Sequence, residues 1–90
     1  MAYQIEFTRR AEREFFKLPP DVQKQLAPVL DSLAEDPRQP GVKFFAGTDG
    51  IHRIRSGDYR ILYRIQDDVL VVLVVRVANR RDAYRRLRDL

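Results

Sequence analysis

Residues 69–77 read Val-Leu-Val-Val-Leu-Val-Val-Arg-Val, and this stretch contains the longest apolar run in the chain. Branched apolar residues at this density predict a central strand that is covered on both faces of a sheet. The apolar run itself, residues 69–75, is far shorter than the ~20 residues that a helix needs to span a bilayer. We therefore expect a buried strand and no membrane segment.

Shorter strand patterns surround this stretch. Residues 59–65 alternate between tyrosine or isoleucine and arginine or leucine, and the turn sequences Ser-Gly-Asp at 56–58 and Asp-Asp at 67–68 bound them. Residues 51–55 precede the first of these turns, and residues 3–7 and 43–45 form two further short strand patterns. The segments from residue 43 onward predict three or four antiparallel strands, and we expect an antiparallel sheet of about four strands.

Two helices are predicted between the first strand and the rest of the sheet. Thr8 offers an N-cap, and apolar residues recur at helical spacing until Pro19-Pro20 ends the first helix. The second helix has apolar residues on one face and ends at residues 35–37. Pro28 lies inside it and is expected to kink or split it, because proline removes an interior hydrogen bond.

The residues after the long apolar strand predict one more element. Tyr84 and Leu87 are three residues apart, which favours a short helix over residues 80–90. The resulting fold class is α+β, with two N-terminal helices packed on one face of the sheet and a short C-terminal helix. Ninety residues suffice for one modest core, so residues 1–90 are expected to form a single domain.

Composition excludes several chemistries. The chain has no cysteine, which rules out a disulfide scaffold, a thiolate zinc site and a cysteine nucleophile. His52 is the single histidine, so a histidine metal cluster or a Ser-His-Asp triad has little to build from. We expect no metal and no cofactor. The start of the chain lacks the apolar core of a secretory signal, which favours a cytoplasmic protein.

The charge is concentrated in one half of the chain. Residues 1–50 carry seven Lys or Arg against eight Asp or Glu (7 − 8 = −1), whereas residues 51–90 carry ten against five (10 − 5 = +5). All ten basic residues of the second half are arginine, whose planar guanidinium matches a phosphate in a two-point contact. The pattern points to nucleic acid or an acidic protein segment as partner.

Strand periodicity predicts which of these arginines lie on the same face of the sheet. Arg53 and Arg55 share one face of their strand, and Arg60 can join them if the two strands pair across residues 56–58. Like charges placed so close repel, so a polyanion partner is the natural reason for the arrangement. Arg80 follows the long apolar strand, and Tyr84 lies one helical turn later. Arginines can stabilise charge that builds on a phosphate, and a nearby phenol could accept a proton.

Three segments resemble the RelE/ParE superfamily of bacterial and archaeal type II toxins. They are the strand Tyr-Arg-Ile-Leu-Tyr at 59–63 after Ser-Gly-Asp, the sequence Val-Val-Arg-Val-Ala-Asn-Arg-Arg-Asp-Ala-Tyr at 74–84, and the opening strand and helix. The resemblance covers essentially the whole chain and is greatest to the RelE branch. It implies a ribosome-dependent endoribonuclease that cuts messenger RNA in the decoding site of the 70S ribosome and is silenced by a cognate antitoxin.

The resemblance also implies roles for individual residues. Arg60 matches the arginine that supports the transition-state phosphate, Arg80 the arginine that acts as general acid or phosphate stabiliser, and Tyr84 the tyrosine that stacks on or deprotonates the substrate. The implied reaction is metal-free attack of a ribose 2′-hydroxyl on the adjacent phosphate. RNA-binding residues are then expected to be Arg53, Arg55, Arg81 and Arg85. Operator DNA is expected to be bound only indirectly, through the antitoxin.

Three positions depart from the family pattern. Asn79 stands where many relatives have a histidine and cannot shuttle a proton, and the strand pair Arg53 and Arg55 replaces lysine with a residue that stays charged. Two other functions therefore stay open: a ParE-like toxin that inhibits DNA gyrase by contact, and a catalytically weak member that binds only antitoxin and DNA. Arg64 and Arg76 match no family role and are expected to be surface charges.

Overall fold

The computed structural model describes residues 2–85. Its elements, in chain order, are β1 (Gln4–Phe7), α1 (Arg9–Phe16), α2 (Pro20–Glu35), β2 (Lys43–Phe44), β3 (His52–Ser56), β4 (Tyr59–Gln66) and β5 (Val71–Asn79). The strands form one sheet in the order β1-β5-β4-β3-β2. The α+β class and the helical layer on one face of the sheet are confirmed.

The prediction of an antiparallel sheet of about four strands is wrong in two respects. The sheet has five strands, because β2 pairs with β3 although it is only two residues long. It is also mixed, because β1 pairs in parallel with β5, with Phe7 opposite Val74. The first and last strands of the chain thus lie side by side, and β5 has hydrogen-bonding partners on both edges.

The larger core lies between the sheet and the helices. It contains Ala11 of α1, Leu26, Leu30 and Leu33 of α2, and inward-facing side chains of three strands: Ile54, Ile61, Tyr63, Val72, Val74 and Val77. A smaller cluster of Ile51, Leu62 and Val75, flanked by Phe45 and Leu73, lies on the other face. Strand β5 contributes to both clusters and is therefore covered on both faces, as its apolar sequence predicted.

A β-bulge in β5 changes which side chains face the helices. Leu62 pairs with Arg76 and Tyr63 with Val74, so Val75 is an extra residue without a partner in β4. Val74 and Val77 both pack in the helix-side core, whereas Val75 packs on the opposite face. The bulge therefore places two consecutive residues, 75 and 76, off the helix side.

Thr8 caps α1 as the sequence predicted, its side-chain oxygen accepting a hydrogen bond from the amide of Ala11 at 3.2 Å. Pro28 does not split the second helix, since α2 is continuous from Pro20 to Glu35. Proline blocks the hydrogen bond to the carbonyl of Lys24. Both residues are exposed, so water can satisfy that carbonyl.

The predicted C-terminal helix is not present in the part of the chain that the structure describes. Residues 80–85 form a turn, in which the amides of Asp82 and Ala83 both donate to the carbonyl of Asn79. The remainder of the predicted helix, residues 86–90, lies outside the described residues. Among residues 2–85, neither helix has the length and apolar character of a membrane span.

Tyr63 links the core to the segment that follows α2. Its side chain is fully buried, and its hydroxyl donates to the carbonyl of Pro37 at 2.6 Å. Burial raises the pKa of the Tyr63 phenol well above its usual value. The phenol therefore remains a neutral hydrogen-bond donor under all ordinary conditions.

Replacing Tyr63 with phenylalanine should lower the free energy of unfolding by about 1–2 kcal/mol, because the buried Pro37 carbonyl loses its donor. Urea denaturation measures the change. Tyr59→Phe is the control, since the Tyr59 hydroxyl makes no hydrogen bond within residues 2–85, and it should cost much less. Equal decreases in the free energy of unfolding of the two variants would contradict a stabilising hydrogen bond from Tyr63 to Pro37.

An exposed cluster joins three separate segments. Arg38, in the loop after α2, donates two hydrogen bonds to the carboxylate of Asp67 in the β4–β5 turn, at 3.1 and 2.8 Å. The hydroxyl of Tyr3 donates to the same carboxylate. The hydrogen bonds from Arg38 and then Tyr3 lower the pKa of Asp67 from 3.8 to about 2.

Because the pKa of Asp67 is lower in the folded state, its stabilising contribution is present above pH 4 and is lost as the pH falls to about 2. Wild type should therefore melt at a higher temperature than Asp67→Asn at pH 5, and the difference should shrink toward pH 2. Thermal melts at several pH values measure it. Asp68→Asn, at the neighbouring exposed position, should show no such trend.

Candidate functional site

The sheet face opposite the helices carries the predicted arginines. Register places Arg55 directly opposite Arg60, and Arg53 opposite Leu62, a residue of the cluster on that face. Directly opposed residues project on the same side of a sheet. The structure therefore brings Arg53, Arg55 and Arg60 together on one surface, as the period-two pattern predicted.

Lys43 extends this surface and was not among the predicted site residues. It pairs with Arg53 across β2 and β3, and its ammonium lies 5.6 Å from the ring centroid of Phe45. We call Lys43, Arg53, Arg55 and Arg60 the cationic face. A two-residue strand gives too short a pattern to show which way its side chains point, so the sequence offered no signal for Lys43.

The guanidinium groups of the cationic face are held in different ways. Nη1 of Arg60 donates to the carbonyls of Gly57, at 2.9 Å, and Tyr59, at 3.1 Å. The Nε atoms of Arg53 and Arg60 are buried, and within residues 2–85 they make no hydrogen bond. Arg55 is exposed. The exposed side chain of Arg55 can pair with the oxygens of an anionic ligand.

Arg80 lies where β5 ends, beside the β3–β4 turn. Its amide donates to the carbonyl of Asp58 at 2.7 Å, which ties the end of β5 to that turn. Asp58, Asn79, Arg80 and Arg81 line a surface pocket of about 280 Å³. Arg80 is exposed, so its guanidinium can reach a ligand at the edge of the sheet.

Asn79 has a structural role in the turn. Its side-chain oxygen accepts hydrogen bonds from the amides of Arg81, at 3.0 Å, and Asp82, at 3.2 Å. An asparagine that bonds to amides two and three residues ahead ends a strand and starts a turn. The carbonyl and the side chain of Asn79 together hold the first half of the 80–85 turn.

Tyr84 reaches the same side of the sheet as the cationic face. Its ring meets the ring of Phe45 edge to face, with 5.5 Å between centroids, and Phe45 packs against the cluster of Ile51, Leu62 and Val75. Tyr84 remains 39% exposed, so part of its ring is free to contact a ligand. The preceding residue, Ala83, is fully buried and anchors the turn.

The other predicted RNA-binding residues lie in the same turn. Arg81 is exposed, and Arg85 is exposed beside Asp82, with 3.7 Å between Nη1 and a carboxylate oxygen. Further arginines, Arg86 and Arg88, lie outside the described residues. Within residues 2–85, no three side chains of the histidine, aspartate and glutamate type converge as a metal site.

The expectation that Arg76 is a surface charge is wrong. Arg76 is only 6% exposed, and its Nε lies 3.6 Å from the carboxylate of Glu14. Burial is the main cause that lowers its pKa, and the neighbouring Arg10 acts in the same direction. The sequence did contain a signal, because a lone arginine inside an apolar run is unusual unless it has a buried partner.

Comparison with known proteins identifies similar chains. The sequence model of a family described as "ParE toxin of type II toxin-antitoxin system, parDE" matches residues 5–84. Toxin RelG of Mycobacterium tuberculosis is 38% identical over 90 residues, which cover 96% of this chain and 100% of the relative. The mRNA interferase toxin RelE of Escherichia coli is 36% identical over 81 residues, which cover 89% of this chain and 85% of the relative.

A solved structure shows the same fold. A chain in the crystal structure of the toxin–antitoxin complex RelBE2 from Mycobacterium tuberculosis superposes with a TM-score of 0.78 at 30% sequence identity. The superposition covers 88% of this chain and 99% of that chain. The shared fold therefore extends over most of this chain.

The direct opposition of Arg55 and Arg60 should cost stability. Replacing Arg55 with glutamine should raise the free energy of unfolding by a few tenths of a kcal/mol at low salt, because the like charges no longer repel. The gain should fade in 1 M salt, where screening removes the repulsion. Urea denaturation at both salt concentrations measures it.

Arg64→Gln, on β4 with Arg60, is the matched control. Arg64 donates to the carbonyl of Asp49 at 2.8 Å and lies 3.8 Å from its carboxylate, so its loss should destabilise the protein. If Arg55→Gln also destabilised the protein at low salt, the two arginines would not be repelling each other in the way the register implies.

Proposed function

Because the chain belongs to the RelE/ParE superfamily of type II toxins, in its RelE-like branch, we propose that it is a ribosome-dependent endoribonuclease that cuts messenger RNA. The observation that carries this proposal is the alignment of Arg53, Arg55 and Arg60 on one face of two paired strands. The 80–85 turn adds Tyr84 on that side through its contact with Phe45, and it brings the exposed Arg80 beside the β3–β4 turn.

Electrostatics supports an RNA substrate. Four cations, Lys43, Arg53, Arg55 and Arg60, lie on adjacent strands and face the same side of the sheet. Arginine forks match phosphate oxygens in two-point contacts. Arg53 and Arg55 would bind the RNA backbone, and the exposed Arg81 and Arg85 would add contacts from the turn. The exposed part of the Tyr84 ring offers a surface on which a base could stack.

The reaction proposed for this site is an internal transesterification. A ribose 2′-oxygen attacks the adjacent phosphorus, the bond from phosphorus to the 5′-oxygen breaks, and the products are a cyclic phosphate and a free 5′-hydroxyl. Arg60 and Arg80 would stabilise the negative charge on the phosphate oxygens in the transition state. Tyr84, as the phenolate, would take the proton from the 2′-hydroxyl, and the 5′-oxygen would receive one from water.

The departures from the family pattern shape this assignment. The side chain of Asn79 bonds to two amides of the turn, so we assign it to positioning Arg80. Arginine in place of lysine on β3 retains phosphate binding but supplies no base, because the guanidinium stays charged. Proton transfer in this chain would therefore depend on Tyr84 more than on any other residue of the site. We propose that the chain itself supplies the required charge, without a metal.

A cognate antitoxin is the second partner that we propose. RelBE2, whose toxin shares this fold, is a toxin–antitoxin complex. An antitoxin segment with acidic and apolar residues would cover the cationic face and the exposed ring of Tyr84, and contact with operator DNA would pass through the antitoxin. The ribosome as target implies action in the cytoplasm.

Gyrase inhibition is the second candidate function, because the matching family is described as ParE toxin. It would require binding to gyrase and no phosphodiester cleavage. The joint presence of Arg80 and Tyr84 beside three strand arginines favours the nuclease. A member that only binds antitoxin and DNA is the remaining alternative.

In vitro translation with the purified protein, followed by primer extension on the message, tests the proposal. We expect cuts on translating ribosomes and none on free RNA. Arg80→Ala and Tyr84→Phe should each reduce the cleavage rate about 10²- to 10³-fold, since each removes a group that acts in the transition state.

Arg13→Ala is the control, because Arg13 is exposed on α1, away from the sheet face. It should cut at the wild-type rate. An intact message combined with loss of gyrase supercoiling would replace the nuclease with the ParE-like function. If neither assay responded, the binding-only alternative would stand.

A further inference from the structure

Arg76 contacts three parts of the fold that are far apart in sequence. Its backbone belongs to the bulged part of β5, its Nε lies 3.6 Å from Oε2 of Glu14 in α1, and its Nη1 donates to the carbonyl of Arg85 at 2.7 Å. Its side chain is 92% buried. A cation this buried usually needs specific partners. The carbonyl of Arg85 accepts a hydrogen bond from it and the carboxylate of Glu14 compensates its charge, whereas Nε makes no hydrogen bond within residues 2–85.

Glu14 holds Arg76 from the helix side. Beyond residue 74 the edge of β5 extends past the end of β1, and there Oε1 of Glu14 accepts the amide hydrogen of Val77 at 2.9 Å. Oε2 of the same carboxylate contacts Arg76, and Arg10 lies 3.5 Å from it. One carboxylate therefore replaces the missing strand neighbour and also fixes the Arg76 guanidinium.

The 80–85 turn is attached to the sheet at both ends. At its start the amide of Arg80 donates to Asp58, and at its end the carbonyl of Arg85 accepts from Arg76. Tyr84 immediately precedes that carbonyl. Loss of the second attachment would leave the Tyr84 ring held by its contact with Phe45 and by the burial of Ala83.

We propose that Arg76 is a positioning residue, whose guanidinium, held by Glu14, fixes the 80–85 turn and thereby sets Tyr84 against the cationic face. This inference rests on the proposed nuclease function, since it assigns Tyr84 a place in the reaction. Arginine suits the task because its fork reaches a carboxylate and a carbonyl at once, whereas lysine offers a single point of charge.

Arg76→Met tests the proposal, because methionine retains an apolar stem and removes the guanidinium. Glu14 keeps its bonds to Val77 and Arg10, so the carboxylate is not left without a partner and the variant should fold. On programmed ribosomes we expect kcat to fall ~10- to 100-fold with KM within about twofold of wild type, since RNA-binding residues are untouched but Tyr84 is misplaced. Arg76→Lys should recover part of kcat.

Amide hydrogen exchange reports on the turn without requiring activity. The amides of Asp82 and Ala83 should exchange ~10-fold faster in Arg76→Met, while amides of β4 keep their wild-type rates. Arg13→Met, which removes an exposed cation from the same helix as Glu14, is the matched control and should change neither readout. Glu14→Gln should likewise lower kcat and speed the exchange of the Asp82 and Ala83 amides.

The outcomes separate the two proposals. Wild-type kcat in Arg76→Met, or a uniform rise in exchange over the whole sheet, would overturn the positioning role. If wild type itself failed to cut messages, the nuclease function would fail, and the exchange measurement would still decide whether Arg76 holds the turn. Faster exchange confined to the turn, with a lower kcat and partial rescue by lysine, would establish the positioning role.

Discussion

Strand β5 is hydrogen-bonded on both edges and packed on both faces, and the other elements are arranged by those four contacts. Parallel pairing with β1 occupies one edge as far as Val74, and antiparallel pairing with β4 occupies the other. The helices cover one face, and a small apolar cluster lies on the opposite face. Burial of the apolar surface of β5 is the main driving force for this arrangement, since little of the strand can remain in water.

The bulge at Val75 gives Arg76 the orientation on which its proposed positioning role depends. By inserting one residue opposite β4, it leaves Val74 and Val77 in the helix-side core and directs Arg76 to the region where α1 and the C-terminal turn meet. Bulges often redirect a side chain close to a functional site. The helix-side core provides the stability that the repulsion on the cationic face reduces, so packing and function are divided between the two faces of one sheet.

Part of the site followed from local sequence, because strand alternation depends only on the backbone. The common face of Arg53, Arg55 and Arg60 could be predicted from period two and one hairpin turn, and register confirms it. Lys43 could not be placed in this way, since a two-residue strand has no readable period. The burial of Arg76 depends on Glu14, which is 62 positions away in the chain, and no local pattern predicts such a pairing.

The sequence by itself determined the fold class, the helical layer, the capped start of α1 and the face on which the strand arginines lie, because each follows from short-range periodicity and turn chemistry. Only the tertiary structure decided that β1 pairs in parallel with β5, that α2 continues through Pro28, and that residues 80–85 form a turn against Phe45. These features depend on contacts between segments distant in the chain. These features are stabilised by apolar burial and strand pairing between those distant segments, and such contacts form only when the whole chain folds.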